Sequence, residues 1–184
     1  MRDRRAIANS SMDSTILSLY AQRMTNALQG PDRYEKLLSG GAVLLLTAVI
    51  AAILRGHADW PRIPASIWAH LATMLIALVL TPVMLLRRRG DARHRMLGWI
   101  WCISLVGTAL ISFDIRVTNH GGFSIIHLLS IWTLVMVPRI VWAARTHRQT
   151  AHRRAVRGMV TGALLIAGFF TFPFNRLLGH WLFG

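Results

Sequence analysis

Five long apolar runs alternate with short arginine-rich ones along this chain. Residues 37–54, 63–86, 96–113, 117–138 and 158–175 contain no Lys, Arg, Asp or Glu. A helix needs roughly 17–25 apolar residues to cross a ~30 Å hydrocarbon core at ~1.5 Å per residue. Backbone polar groups inside lipid must be satisfied within the segment, so each run is expected to be helical. The pattern predicts an all-α integral membrane protein with five transmembrane helices. The first span opens with Ser39-Gly40-Gly41, which weakens a helix locally.

The polar stretches set the orientation. Six basic residues fall within 1–36, five in the link 87–95 and five in the link 145–157, sixteen in all. The opposite side carries four: Arg55, Arg62, Arg116 and Arg176. Arg139 falls within the fourth helix. The positive-inside rule then places the N-terminus in the cytoplasm and the C-terminus outside, in a bacterial inner membrane. Trp60, Trp68 and Trp181 fall near the outer boundary, where indole rings favour the interface. Residues 1–36 read as a cytoplasmic segment and 37–184 as the transmembrane domain. Within the former, Ile16, Tyr20, Met24 and Leu28 recur every four residues, as on a surface-lying amphipathic helix that Asp13 or Ser14 would cap and Gly30-Pro31 would end.

Composition narrows the function classes. Hydrophobic residues make up 54% of 184 and mean hydropathy is +0.45, too apolar for a soluble domain. The net charge of +14 is clustered between spans, not spread over one face, which argues against nucleic acid. The single cysteine, Cys102, excludes an intrachain disulfide, a four-cysteine zinc site and a cysteine-ligated iron–sulfur cluster. No two of the seven acids share a span, so paired-carboxylate hydrolysis is poorly supported. No glycine motif for a flavin or nicotinamide domain is present. No apolar core lies in the first 30 residues, so no cleavable signal peptide is expected.

Spans two and three look like a duplicate of spans four and five. His70-Leu71 is followed by Pro82, a basic link and His94-Arg95; His127-Leu128 is followed by Pro138, a basic link and His152-Arg153. Two such hairpins predict a four-helix core. His70 precedes Arg87 by 17 residues and His127 precedes Arg145 by 18, which puts both roughly 26 Å above the inner surface. His94 and His152 fall in the first turns of their helices, near the inner face. In a cyclic bundle these are two diagonal histidine pairs, one near each face. Imidazoles facing each other across a gap are what a b haem needs as axial ligands. Arg95, Arg153, Arg157 and Arg139 are candidates to pair with propionates at the inner site. The outer site has Arg62, Arg116 and Arg176. Dense inner arginines favour neutral imidazoles, with lone pairs free for metal. The small residues Gly158, Gly162, Ala163 and Ala167 would either make room for a ring or let helices pack closely.

The helix order and histidine placement resemble transmembrane cytochromes of the b-561 type, which implies two b haems, each held by a diagonal histidine pair. By local sequence, residues 66–178 are similar to a bacterial membrane-protein family, the domain of unknown function 2306. The residues that carry this likeness are His70 with Pro82, His94-Arg95-x2-Gly98, Gly122-Phe123 and His152-Arg153-Arg154-x2-Arg157. The implied activity is that of a transmembrane oxidoreductase or electron carrier, with a quinone or small redox partner. Two haem-free readings stand beside it. One is a binding or transport protein, although the midplane offers little beyond Thr73, Thr81, Ser104, Thr108, Ser130 and Thr133. The other is a structural subunit. His57, His120, His147 and His180 fall in loops or the tail and are given no role.

Overall fold

The computed structural model describes residues 16–20, 30–87, 89–115, 125–173 and 176–184. These are helical throughout, with no strand among them. Four helices are long and apolar enough to cross a membrane, within Arg33–Arg62, Ala65–Leu86, Ala92–Ser112 and His127–Arg145. The protein is therefore a multi-pass membrane protein by length and composition.

Helix α1 covers Arg33–Arg55 and continues into a 3₁₀ stretch, Gly56–Arg62. Asp32 and Glu35 form a reciprocal capping box at its start. The Ser39-Gly40-Gly41 sequence does not break it. The Ser39 hydroxyl bonds back to the Glu35 carbonyl at 2.7 Å. A Cβ on Gly41 would lie 3.3 Å from the Leu165 side chain, so the missing side chain admits a neighbouring helix. Helix α2 is Ala65–Leu86 and α3 is Ala92–Ser112, with Asp91 capping the latter. Helix α4, Ile125–Arg145, runs past Pro138 and Arg139, where the apolar run ends. Proline removes one ladder bond, and neighbouring helices can absorb that loss within a bundle.

The fifth rod, α5, starts at Gln149, nine residues before the apolar run does. It is α-helical over Gln149–Met159, π-helical over Val160–Ile166 and α-helical again for Ala167–Phe169. Only a three-residue turn, with His147 at φ 56°, separates it from α4. The basic stretch 145–157 is thus mostly helix. A short helix, α6 (Leu177–Phe183), folds back on the far end of α1. Its Trp181 donates to Asp59 at 3.1 Å.

Contacts join α1 to α2, α2 to α3, α3 to α4 and α4 to α5, and α1 also packs on the π segment of α5. Helix α1 is therefore part of the bundle wall, not an addition to a four-helix core. Its Leu38 and Ala42 share one apolar core with Leu78, Leu105, Met159 and Leu164. Of the small residues of α5, Gly162 serves packing, since a Cβ there would meet the Trp132 ring at 3.2 Å, whereas Gly158 has nothing within 4 Å. Large apolar side chains such as Leu44, Ile103, Leu110, Leu128 and Val135 face outward, as a lipid-exposed surface requires. In the N-terminal segment, residues 16–20 form an exposed helical turn. Asp13, Ser14, Met24 and Leu28 lie outside the described residues.

Two glycine substitutions should separate. At Gly179 a Cβ would sit 1.7 Å from the backbone oxygen of Phe172, so Gly179→Ala should displace α6 and lower the midpoint of thermal unfolding in detergent. At Gly40 nothing lies within 4 Å, so Gly40→Ala should raise stability by about 0.5–1 kcal/mol in the same assay.

Candidate functional site

The arginine-rich end of the bundle, the inner end in the predicted orientation, is built around one carboxylate. Glu35 is 1% exposed, in a chain with only seven acids. Arg153 grips it with two donors, Nε to Oε1 at 2.7 Å and Nη2 to Oε2 at 2.8 Å. Arg89, from the α2–α3 link, reaches Oε2 at 2.5 Å, and Arg157 reaches Oε1 at 3.1 Å. Arg153 and Arg157 also contact Asp32. Arg89 and Arg153 both donate to the Gly30 carbonyl, at 3.0 and 3.3 Å. A buried carboxylate held by several charge-assisted hydrogen bonds can stay ionised at tolerable cost. These bonds tie the start of α1, the α2–α3 link and the start of α5 into one unit.

That unit forms one wall of a cavity of about 720 Å³. The volume falls within the ~300–1,000 Å³ typical of small-molecule sites. Other walls come from Thr81, Met84 and Leu85 of α2, Gly98 and Trp101 of α3, Val141 of α4 and Val156 of α5. His94 from α3 and His152 from α5 both line it. Asp91 fixes the turn that carries His94: its Oδ1 accepts the His94 backbone N–H at 2.6 Å and its Oδ2 accepts from Arg87 at 2.8 Å. The Arg87 hydrogen bond and the His94 N–H hold the Asp91 carboxyl down at about 2.

The two inner imidazoles differ in their partners. His152 Nδ1 is 3.0 Å from the Ile140 carbonyl. A carbonyl can only accept, so Nδ1 carries a proton, and in the neutral ring Nε2 is the lone-pair nitrogen. Such a second bond is what holds a metal-ligating histidine in place. His94 Nδ1 is buried without a hydrogen-bond partner. Among the described residues no three His, Cys, Asp or Glu side chains are grouped to hold a bare metal ion. A porphyrin supplies four nitrogens itself and needs only two protein ligands, and two imidazoles line this cavity.

The predicted arginines divide. Arg95, Arg153 and Arg157 line the cavity. Arg153 and Arg157 are, however, already committed to Glu35 and Asp32. Arg139 is exposed and is not among the lining residues, a position that suits snorkelling to the interface. Glu35 and Asp32 were not among the predicted site residues. The signal was their Asp-x-x-Glu spacing, a helix-start signature, in a segment otherwise rich in arginine.

The outer histidines sit among hydroxyls. His70 Nδ1 is 3.2 Å from the Thr108 carbonyl, so it too presents Nε2 as the lone-pair nitrogen. Thr108 donates to Thr73 at 2.8 Å, and Ser112 pairs with Ser130. His127 is 4% exposed, with its ring 5.8 Å from that of Phe113. His70 thus reaches α3 and His127 the residue just beyond its end, about a turn and a half apart along the helix, so the two do not sit at the one height that their sequence spacing predicts. Cys102 is buried and lines the inner cavity. Arg116 lies outside the described residues, while Arg62 pairs with Asp59 at 3.7 Å.

Comparison of the chain with family models, curated proteins and solved structures gives no match. The family likeness therefore rests on the quoted residue pattern alone.

Breaking the Glu35 cluster should be costly. Glu35→Ala leaves Arg153 and Arg89 facing each other without their counter-charge and should destabilise the protein by roughly 3–5 kcal/mol, read from chemical unfolding in detergent. The Asp91 carboxyl titrates lower in the folded chain than in an unfolded one, near 3.9. Its contribution to stability is therefore complete above about pH 4 and is lost as pH falls toward about 2. Asp91→Asn, which keeps a capping oxygen, should flatten that part of the pH–stability curve.

Proposed function

We propose that this chain is a b-type cytochrome-like membrane protein that carries electrons across the bacterial inner membrane. The inner haem would be held by His94 and His152, and a second, outer haem by His70 and His127. The observation that carries the reading is the cytoplasmic cavity: it is lined by one imidazole from α3 and one from α5, and the His152 lone pair is fixed by the Ile140 carbonyl. The outer pair is supported by the like place of the two histidines in the sequence pattern and by the His70 bond to Thr108.

A bound b haem supplies a one-electron redox couple. The chain's residues position it. Ile140 sets the His152 tautomer and Asp91 fixes the first turn of α3. Trp101, hydrogen-bonded to Thr81 at 3.0 Å, braces the cavity floor. In this reading α5 is the fifth membrane crossing, which places the N-terminus and the arginine-rich ends of α2–α5 in the cytoplasm. The sixteen-to-four split of basic residues supports that orientation. The electron partners would be a quinone or a small redox protein at either face.

Absorbance tests this directly. Protein expressed with haem supply, or titrated with haemin, should show a Soret band whose reduced form has the sharp bands of bis-histidine haem. His152→Ala and His94→Ala should remove the inner haem, and His70→Ala or His127→Ala the outer one. Gly98→Leu should also remove the inner haem while leaving the fold intact. Gly98 lines the cavity, and a Cβ there meets only the flexible Met84 end at 3.4 Å. Protein that stays colourless after haemin addition would exclude the proposal.

A further inference from the structure

We infer that the cytoplasmic cavity selects an amphiphile bearing an acidic group, received by Arg95 and Arg145 at its mouth. The inference begins with the charges around the cavity. Arg87 is taken by Asp91. Arg89, Arg153 and Arg157 share Glu35 and Asp32. Arg95 and Arg145 also line the cavity, and neither has a carboxylate partner among the described residues. Arg95 donates to the Gly90 carbonyl at 2.8 Å, and the Arg145 guanidinium lies 5.7 Å from the centroid of the Trp99 ring. One cation comes from the first turn of α3 and the other from the last turn of α4, so they approach the opening from different helices.

Behind them the walls are apolar: Met84, Leu85, Val141 and Val156. A neutral apolar occupant would cover those walls and bring no counter-charge to the two guanidiniums. An occupant with a carboxylate or phosphate at one end satisfies both regions, since guanidinium binds either anion through paired N–H donors. Arg145 was not among the arginines first assigned to propionates. It replaces Arg153 and Arg157, whose donors are already engaged by Glu35 and Asp32. The inference deepens the haem reading and, in its first arm, rests on it, since haem is itself an apolar plate with two carboxylates. A phospholipid with an anionic headgroup presents the same chemistry.

Affinity measurements distinguish these. The purified full-length chain is titrated in neutral detergent with haemin and with haemin dimethyl ester, whose carboxylates are masked. Haemin should bind about tenfold or more tightly than the ester, the scale of one charge-assisted hydrogen bond. The gap should shrink in Arg95→Ala and Arg145→Ala and close in the double variant, and added salt should narrow it because both arginines are exposed. Arg154→Ala, an exposed arginine away from the cavity lining, should leave it unchanged. If neither haemin nor ester binds, the haem reading fails. The acidic-group inference then survives only if phosphatidylglycerol binds in native mass spectra, phosphatidylcholine does not, and the double variant loses the preference. Equal affinity for haemin and its ester, or a gap that the double variant retains, overturns it.

Discussion

Burying a carboxylate inside an apolar bundle costs several kcal/mol unless cations and hydrogen bonds offset it, and at Glu35 three guanidiniums do so. The arginine-rich half of the molecule depends on this offset. Arg153 ties α5 to α1, Arg89 brings the α2–α3 link to the same point, and the capping box fixes the angle at which α1 enters. No apolar contact could set three chain segments at one place so specifically, because lipid tails are as apolar as leucine and helix association in membranes needs polar or close-packed contacts. The cluster therefore both closes the bundle and keeps one side of the cavity open against collapse.

The two halves of the bundle use their polar groups differently. At the other end of the bundle, hydroxyls bond within the helices or across close helix pairs, as with Thr108 and Thr73. At the arginine-rich end, Glu35 engages the arginines around it, but Arg95 and Arg145 have no acid partner among the described residues, and His94 has a buried nitrogen without a hydrogen-bond partner. Incomplete pairing beside an apolar cavity is the usual physical signature of a binding site. The π segment of α5 reinforces the contrast, since it begins at Val160, on the cavity wall, and π turns within helices often occur at such sites.

Much of this was legible in the chain because hydropathy in lipid is a strong constraint. The cores of α1, α2 and α3 fall where charge-free runs predict them, and His94 and His152 do share one cavity. The helix ends were harder to read. Helix α4 continues through Pro138 and Arg139, and α5 begins within a run of arginines, because helical hydrogen bonding does not stop where hydropathy does. The place of α1 in the bundle wall was hidden in the absent side chain of Gly41, which reads as a weakness until Leu165 is seen against it. Ion pairing was the least legible feature. Arg153 and Arg157 resemble free cations in sequence, and only the fold brings Glu35, more than a hundred residues away, between them.

The central claim is that His94 and His152, which line one cavity, would together hold one haem iron. Electron paramagnetic resonance of the ferric, haemin-treated protein tests it most directly. Two axial imidazoles impose a low-spin signal, and exchanging His94 for alanine should turn the inner component high-spin or abolish it. A high-spin signal in the unaltered protein, unchanged by that substitution, would show that iron sits elsewhere and would contradict the account.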